Sequence, residues 1–352
     1  MNVKINKDVV FDYSKPPLII GEISSNHSGS KKKFLELINA AYDNNADLVK
    51  IQTYEPIDIT FNNDHRKFLI EKGIWKGENL WDLYQKAHTP FSWHEDAFKL
   101  AKKRNKILFS TPFSIRSLNF LKQFNPQIYK LSSFEITDLN LIKEIAKTKR
   151  PIIISTGASN LSEITAAVKV VERFHKKIIL LHCVSSYPTP IEYANIVRIN
   201  FLKKSFKNCL IGLSDHTPSL SSSLCATAIG VVAIEKHIKL NQKSKSEDSE
   251  FSLSVKDLRQ LKKISREIFL SLGSSIMQKK MTNEELGNRI YRRSIYASKD
   301  IKKGDFITKN NIETLRPQIG ILANQYNKII GMKIVKDIKK NYPIFKNILR
   351  KK

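Results

Sequence analysis

Up to about residue 270 the chain repeats one rhythm of hydrophobic and polar positions. A short apolar run gives way to a polar loop and then to a longer segment with helical spacing. The runs are Leu18–Glu22, Leu48–Gln52, Ile107–Ser110, Ile128–Leu131, Ile152–Ser155, Ile178–Cys183, Leu210–Leu213 and Val231–Glu235. Continuous apolar runs separated by helices predict parallel strands buried on both faces. Eight such units in roughly 250 residues predict an α/β fold, a (β/α)8 TIM barrel. A doubly wound open sheet would want a glycine-rich phosphate loop, and no G-x-G-x-x-G or P-loop pattern follows any run.

Helix signals agree with this count. Ser30 precedes a segment whose Phe34, Leu37, Ile38 and Ala41 share one face. Asn160 to Glu163 reads as a capping box ahead of Ile164, Ala167, Val168 and Val171. The segment from Glu55 to about Leu80 is long for a connection, which makes it a candidate lid. After Gly273 the rhythm stops. Residues 1–272 are expected to form the barrel, 273–290 a linker, and 291–352 a small second domain with strand-like pieces such as Ser294–Ala297 and a turn at Gly304-Asp305.

Composition narrows the class. With 41% hydrophobic residues the chain can bury a core and is no disordered segment. Its 60 Lys+Arg against 33 Asp+Glu leave +27, which points to an anionic ligand without saying which. Residues 289–352 carry 17 Lys+Arg against 4 Asp+Glu, so this short tail holds +13 of the total. The longest weakly polar run, Cys225–Ile234, is half a bilayer span. Lys4, Lys7 and Asp8 precede any apolar stretch, so no signal peptide is expected. Three cysteines, Cys183, Cys209 and Cys225, read as reduced thiols of a cytoplasmic protein.

Reactive groups of a barrel come from the C-terminal strand ends. Here each end is polar, from Glu22 at the first strand to Glu235, Lys236 and His237 at the eighth. Their recurrence predicts an enzyme with a polar, phosphorylated substrate. Lys50 and Lys130 lie inside apolar strands. Each either pairs with a carboxylate or flanks a bound anion with the hydroxyls of Thr111, Ser133, Ser155 and Ser214. His216 and His237 end adjacent strands and are candidate metal ligands, with packing as the plain alternative. His182 reads as packing or as a support behind the site residues, and Cys183 as core. Glu22 and Glu135 are candidates for proton transfer or sugar binding. Asp248 follows the eighth strand and can reach the mouth. The aromatic stretch Trp75–Tyr84 reads as a lid packed on the barrel.

IGEISSNHSG (20–29), VKIQTY (49–54), STPF (110–113), YKLSSFEITDLNLI (129–142), STGAS (155–159), LHCVSSYPTP (181–190), GLSDHT (212–217) and EKHI (235–238) together resemble the sialic acid synthase family. RRSIYASKDIKKGDFITKNNIETLRP (292–317) resembles that family's antifreeze-like (SAF) domain, and LWDLYQKAHTPFSWH (80–94) looks like its pseudaminic acid synthase branch. The resemblance implies condensation of phosphoenolpyruvate with 2,4-diacetamido-2,4,6-trideoxy-β-L-altropyranose, or, in the sister branches, with the precursors of N-acetylneuraminate or legionaminate. It implies that Lys50, Thr111, Lys130, Ser133, Ser155, Ser185 and Ser214 bind phosphoenolpyruvate, and that His216 and His237 hold Mn2+ or Mg2+. Glu22, Gln52, Glu135, Tyr187 and Asp248 would face the sugar. Arg316 would reach the partner's site in a domain-swapped homodimer. Departures from the family pattern are Gln318 in RPQIG, where glycine is usual, and Ala158 after STG, where methionine is common.

Two other readings stand beside this one. A Schiff-base aldolase would use Lys130 or Lys50 and give a borohydride-trappable adduct. A nucleic-acid binder would use the +27, but the basic residues are dispersed and no aromatic–basic module is present.

Overall fold

The computed structural model describes residues 2–273 and 281–351. The chain divides into two compact units, Met1–Gly273 and Ser274–Lys352. The first is the expected barrel. Its strands are β3 (Leu18–Glu22), β4 (Leu48–Thr53), β5 (Ile107–Pro112), β6 (Tyr129–Leu131), β7 (Ile152–Ser155), β8 (Ile178–Cys183), β9 (Leu210–Asp215) and β10 (Ala233–Lys239). Each pairs in parallel with the next, and β10 pairs with both β3 and β9, which closes the sheet. Each apolar run of the sequence falls on one of these strands.

The period-2 alternation of a strand explains why such runs are apolar throughout. In β4, Val49 and Ile51 face outward and join the helices' apolar faces in one large core. Leu48 faces inward with Ile20, Phe109, Ile153, Leu181 and Leu210 in a separate inner core. The helix signals behave as expected. Ser30 accepts a hydrogen bond from the Lys33 amide, and Phe34, Leu37, Ile38 and Ala41 of α1 (Lys31–Asp43) are buried. Asn160 and Glu163 form the capping box of a later helix, Leu161–Glu172.

A hairpin precedes the barrel that the apolar pattern does not announce. Its strands β1 (Asn2–Lys4) and β2 (Val10–Asp12) pair antiparallel, and Val3 and Phe11 belong to the inner core beside Leu18, Leu48 and Ile107. The hairpin thus plugs the end of the barrel where the strands begin. That leaves the opposite end for ligands.

The long connection after β4 is built, not loose. It contains turns at Pro56–Asp58 and Arg66–Phe68 and then α2 (Leu80–Ala87), N-capped by Asn79. The Arg116 guanidinium holds it through Glu55 (2.6 Å) and Asp58 (2.8 Å). The Trp75 indole N–H donates to the Glu247 carbonyl (3.0 Å), which ties the segment to the loop after β10.

In the second unit, β-strand Ser294–Ala297 pairs antiparallel with Ile312–Leu315, and Lys333–Ile334 with Leu349–Arg350. Its core is rich in isoleucine, including Ile295, Ile301, Ile307, Ile312 and Ile344. Gly304 takes φ +99° at the expected turn. Of the stretch read as a linker, residues 274–280 lie outside the described residues. Asn283–Asn288 form a short helix within it, closed by a Thr282–Glu285 capping box. Among the described residues no helix is long and apolar enough to cross a membrane.

Candidate active site

The inner face of the barrel changes character along its length. Near the plug it is apolar. Two residues further along most strands, and four along β9, the same face carries Glu22, Lys50, Thr111, Lys130, Ser155, Ser214 and Glu235, all buried. These side chains meet at the open end. There a cavity of about 420 Å3, within the size range of small-molecule sites, is lined by Lys50, Lys130, Glu235, His216, His237 and Asp248. A larger groove of about 920 Å3 lies between helices Phe91–Lys103 and Ile115–Lys122, but it holds none of the barrel-mouth residues.

The floor of the cavity is a charge quartet. Lys50 Nζ lies 2.6 Å from Glu22 Oε2 and 3.6 Å from Glu235 Oε1. Lys130 Nζ lies 3.2 Å from the same Glu235 oxygen. Both lysines are therefore paired, as the plainer of the two sequence readings has it, yet both also line the cavity. Glu235 bridges them. The sequence marks it as one of the polar strand ends but assigns it no role, and the available signal was its place two residues before His237 on the inward face of strand eight. Burial alone would raise the Glu235 carboxyl, but Lys130 and Lys50 outweigh it and hold it down at about 2. Glu22 has Lys50 as its contacting cation, and burial outweighs it and pushes the carboxyl up to about 7. Burial likewise lowers the Lys130 ammonium against the pull of Glu235.

Hydroxyls surround the quartet. Lys50 donates to Thr111 Oγ1 (3.3 Å), and Ser214 donates to Glu235 Oε1 (3.3 Å). Ser133 Oγ accepts the Gly157 amide (3.1 Å). A Cβ on Gly157 would lie 2.2 Å from Ser185 Oγ and 2.8 Å from Ser133 Oγ, so only glycine lets hydroxyls from two loops converge there. Among the described residues Ser155 Oγ, Glu22 Oε1 and Glu235 Oε2 are buried without a hydrogen-bond partner in the chain. Ser155 and Glu235 line the cavity and Glu22 contacts its Lys50, so these atoms suit a polar ligand there, while other unsatisfied atoms, such as those of His175, Ser222 and Ser294, lie elsewhere.

The two histidines stand beside this floor, ring centroids 5.3 Å apart. His216 Nδ1 lies 3.1 Å from the Val184 carbonyl. His237 Nδ1 lies 3.4 Å from Asp248 Oδ2, an electrostatic approach rather than a formed hydrogen bond. Both Nδ1 atoms thus face protein acceptors, which leaves Nε2 of each ring as the nitrogen able to ligate. Burial depresses His237 to about 4, so it is a neutral imidazole, the ligating form. Two imidazoles with a carboxylate behind one of them suit a divalent cation. Tyr187 packs on His216 at 4.4 Å between centroids.

Of the other expected residues, Gln52, Ser133 and Ser185 line the same cavity. The Cys183 thiol also lines it, 3.8 Å from His216 Nδ1, rather than serving only as core. His182 points out of the barrel and bonds the Ala194 carbonyl (2.8 Å), in keeping with a packing role. Glu135 does not join the cavity wall. It is half-buried, takes the Ser132 hydroxyl as donor, and burial raises its carboxyl. Arg316 belongs to the second unit, where it is exposed and lines a cavity of about 500 Å3 with Arg292 and Arg293.

Comparison with known proteins agrees with this geometry. Residues 37–277 match the model of the NeuB family and residues 292–350 that of the SAF domain. The chain is 39% identical over 330 residues to a pseudaminic acid synthase of Campylobacter jejuni, covering 94% of this chain and 95% of that one. It is 38% identical to a pseudaminic acid synthase of Helicobacter pylori, covering 94% and 97%. A crystal structure of N-acetylneuraminic acid synthetase from Leptospira borgpetersenii superposes with a TM-score of 0.73 at 28% identity, covering 82% of this chain and 96% of that one. The family match spans more than half of the chain and most of the barrel that carries the charge quartet and the histidine pair: the chain belongs to the NeuB family, with a SAF domain at its C-terminal end.

Proposed function

We propose that the protein is a phosphoenolpyruvate-dependent nonulosonic acid synthase that condenses phosphoenolpyruvate with 2,4-diacetamido-2,4,6-trideoxy-β-L-altropyranose to give pseudaminic acid and phosphate. The observation that carries the reading is the floor of the cavity, where Lys50 and Lys130 sit among convergent hydroxyls beside two imidazoles. The similarity to pseudaminic acid synthases supports the choice of sugar.

Each part has a role in this chemistry. The two ammonium groups and the hydroxyls of Thr111, Ser133, Ser155, Ser185 and Ser214 bind the phosphate and carboxylate of phosphoenolpyruvate. Gln52, Tyr187 and Asp248 orient the sugar. When bound, a Mn2+ or Mg2+ ion held by His216 and His237 supplies a Lewis acid for the aldehyde oxygen. C3 of the enol attacks the aldehyde carbon, water adds at C2, and phosphate leaves with cleavage of its C–O bond. Glu22, whose carboxyl sits near neutrality, can hold or release a proton beside Lys50 at working pH. Glu22 is preferred over Glu135 as the proton carrier because it touches a floor lysine, Lys50, whereas the partner of Glu135 is the Ser132 hydroxyl.

The quartet of Lys50, Lys130, Glu22 and Glu235 is formally neutral, so the charge of an anionic substrate falls on other groups. Lys72 on the lid is one cation at the cavity. A metal at the histidine pair is the other. Chelation is therefore expected to weaken phosphoenolpyruvate binding itself, as read by calorimetry. His237→Ala is expected to abolish phosphate release and to bring the same loss of binding while leaving the melting temperature near that of the parent. Tight phosphoenolpyruvate binding by the variant would remove the histidines from the reading.

Gly157→Ala tests the hydroxyl cluster. Its Cβ must turn the Ser185 and Ser133 hydroxyls aside. The KM for phosphoenolpyruvate is expected to rise about 10-fold, the worth of one charge-assisted hydrogen bond. An unchanged KM would show that these serines do not bind it.

The substrate assignment is tested by phosphate release from phosphoenolpyruvate with each of the three amino-sugar precursors. Only the altropyranose is expected to support turnover. The reading extends to a cytoplasmic homodimer in which Arg316 serves the partner's cavity. The arginine-lined cavity of the second unit supports an anion- or hydroxyl-binding role for that residue.

A further inference from the structure

The cavity is divided by polarity. Its floor, built from strand ends, is charged and hydroxylated. Its roof comes from the segment after β4, and there the picture inverts. Ile59, Ile70, Leu80, Leu83 and Ala87 all line the cavity, and Lys72 is the single charged residue this segment contributes to the wall. Tyr54 packs edge-on to Tyr84 and Phe113 at 5.8 Å and 5.0 Å between centroids, extending the apolar surface to the rim.

The roof is held in one shape. Ile70 is fixed through its backbone, its amide donating to the Glu78 carbonyl (2.9 Å) and its carbonyl accepting from the Gly77 amide (2.8 Å). Arg116 and Trp75 pin the segment at two further points. A preformed apolar wall over a polar floor orients a ligand that is polar on one side only.

We infer that this roof is the specificity filter for the methyl-bearing end of the amino sugar. It takes a 6-deoxy carbon and disfavours the same sugar with a hydroxyl at C6. The inference rests on the synthase reading above and adds to it the residues that read the sugar. A hydroxyl placed against Ile59, Ile70 and Leu83 loses its water and gains no partner. A hydrophobic pocket rejects an added hydroxyl only moderately, by a factor of about 10–100. The filter therefore acts as a preference rather than an absolute barrier.

The test compares two sugars on the full-length chain: the 2,4-diacetamido-2,4,6-trideoxy altropyranose and its analogue bearing a hydroxyl at C6. Phosphate release is measured for wild type, Ile70→Thr and Ile59→Thr. Both positions are half-buried, so the fold is expected to tolerate them, and melting curves check it. Wild type is expected to favour the deoxy sugar by about 10–100-fold in kcat/KM. In the variants that ratio narrows several-fold while the KM for phosphoenolpyruvate stays unchanged. Equal turnover of the two sugars by wild type, or a ratio that neither variant alters, overturns the filter and leaves the synthase reading standing. Absence of phosphate release from both sugars overturns the synthase reading, and the filter with it.

Discussion

Replacing Glu235 by glutamine is expected to destabilise the protein by about 3–5 kcal/mol, the scale for removing one partner from a buried ion pair. It is also expected to lower kcat/KM at least about 100-fold, the cost of losing one preorganised electrostatic partner. Glu235 is 3% exposed and one of its oxygens serves both lysines, at 3.6 Å from Lys50 and 3.2 Å from Lys130. A neutral amide leaves two buried ammonium groups to share Glu22. Lys130, which has no other close carboxylate among the described residues, loses most. Its ammonium is already lowered from 10.5 by burial, and the loss of Glu235 lowers it further. The sign follows from linkage. Between the lowered folded value and 10.5 the unfolded chain binds more protons, so stability rises with pH. The variant should thus gain stability as pH climbs toward 10.5, and over a wider span of pH than the parent. Adding Lys130→Met should restore the melting temperature without restoring turnover. A glutamine variant that melts with the parent and shows the same pH slope would mean the lysines are not held as argued.

The same residue shows where sequence reading stops. The barrel was legible because a strand buried on both faces has no polar alternation to hide it, and because capping at Ser30 and Asn160 is a local contact across three residues. Lys50 and Lys130 were legible as anomalies, charges set in apolar runs. Glu235 was legible only as one more polar strand end, and its role bridging the two lysines was not. Its partners lie 185 and 105 residues away, and only closure of the sheet brings them together. The hairpin of Val3 and Phe11 was missed for the opposite reason: its strands are three residues each, too short for any period to register. The apolar roof needed three dimensions as well. Ile59, Ile70 and Leu83 read as ordinary loop and helix residues until the segment folds over the mouth.

Asp215→Asn should be as costly to stability, through a group on the other side of the same strands. Asp215 and Lys236 face outward, one residue before His216 and His237. Lys236 is fully buried, with Nζ 3.1 Å from Asp215 Oδ2 and a second bond to the Thr217 carbonyl. Asp215 also accepts the Ser223 hydroxyl (2.6 Å) and the Thr217 amide (2.8 Å). One carboxylate thus ties the end of β9, the turn after it, the following helix and β10. The asparagine variant strands a buried ammonium, at about 3–5 kcal/mol. Lys236→Met should cost less, because Asp215 keeps two of its three donors. The double variant should recover most of the loss, and the difference is the coupling energy of the pair. Function should follow a different order. The pair fixes the two strand ends that carry the histidines, so on the proposed metal role the double variant, though stable, should bind Mn2+ about 10-fold more weakly by calorimetry, the scale for losing a residue that orients a metal ligand. Additive losses in the cycle would deny the coupling. Unchanged Mn2+ affinity in the stable double variant would confine the pair to holding the fold.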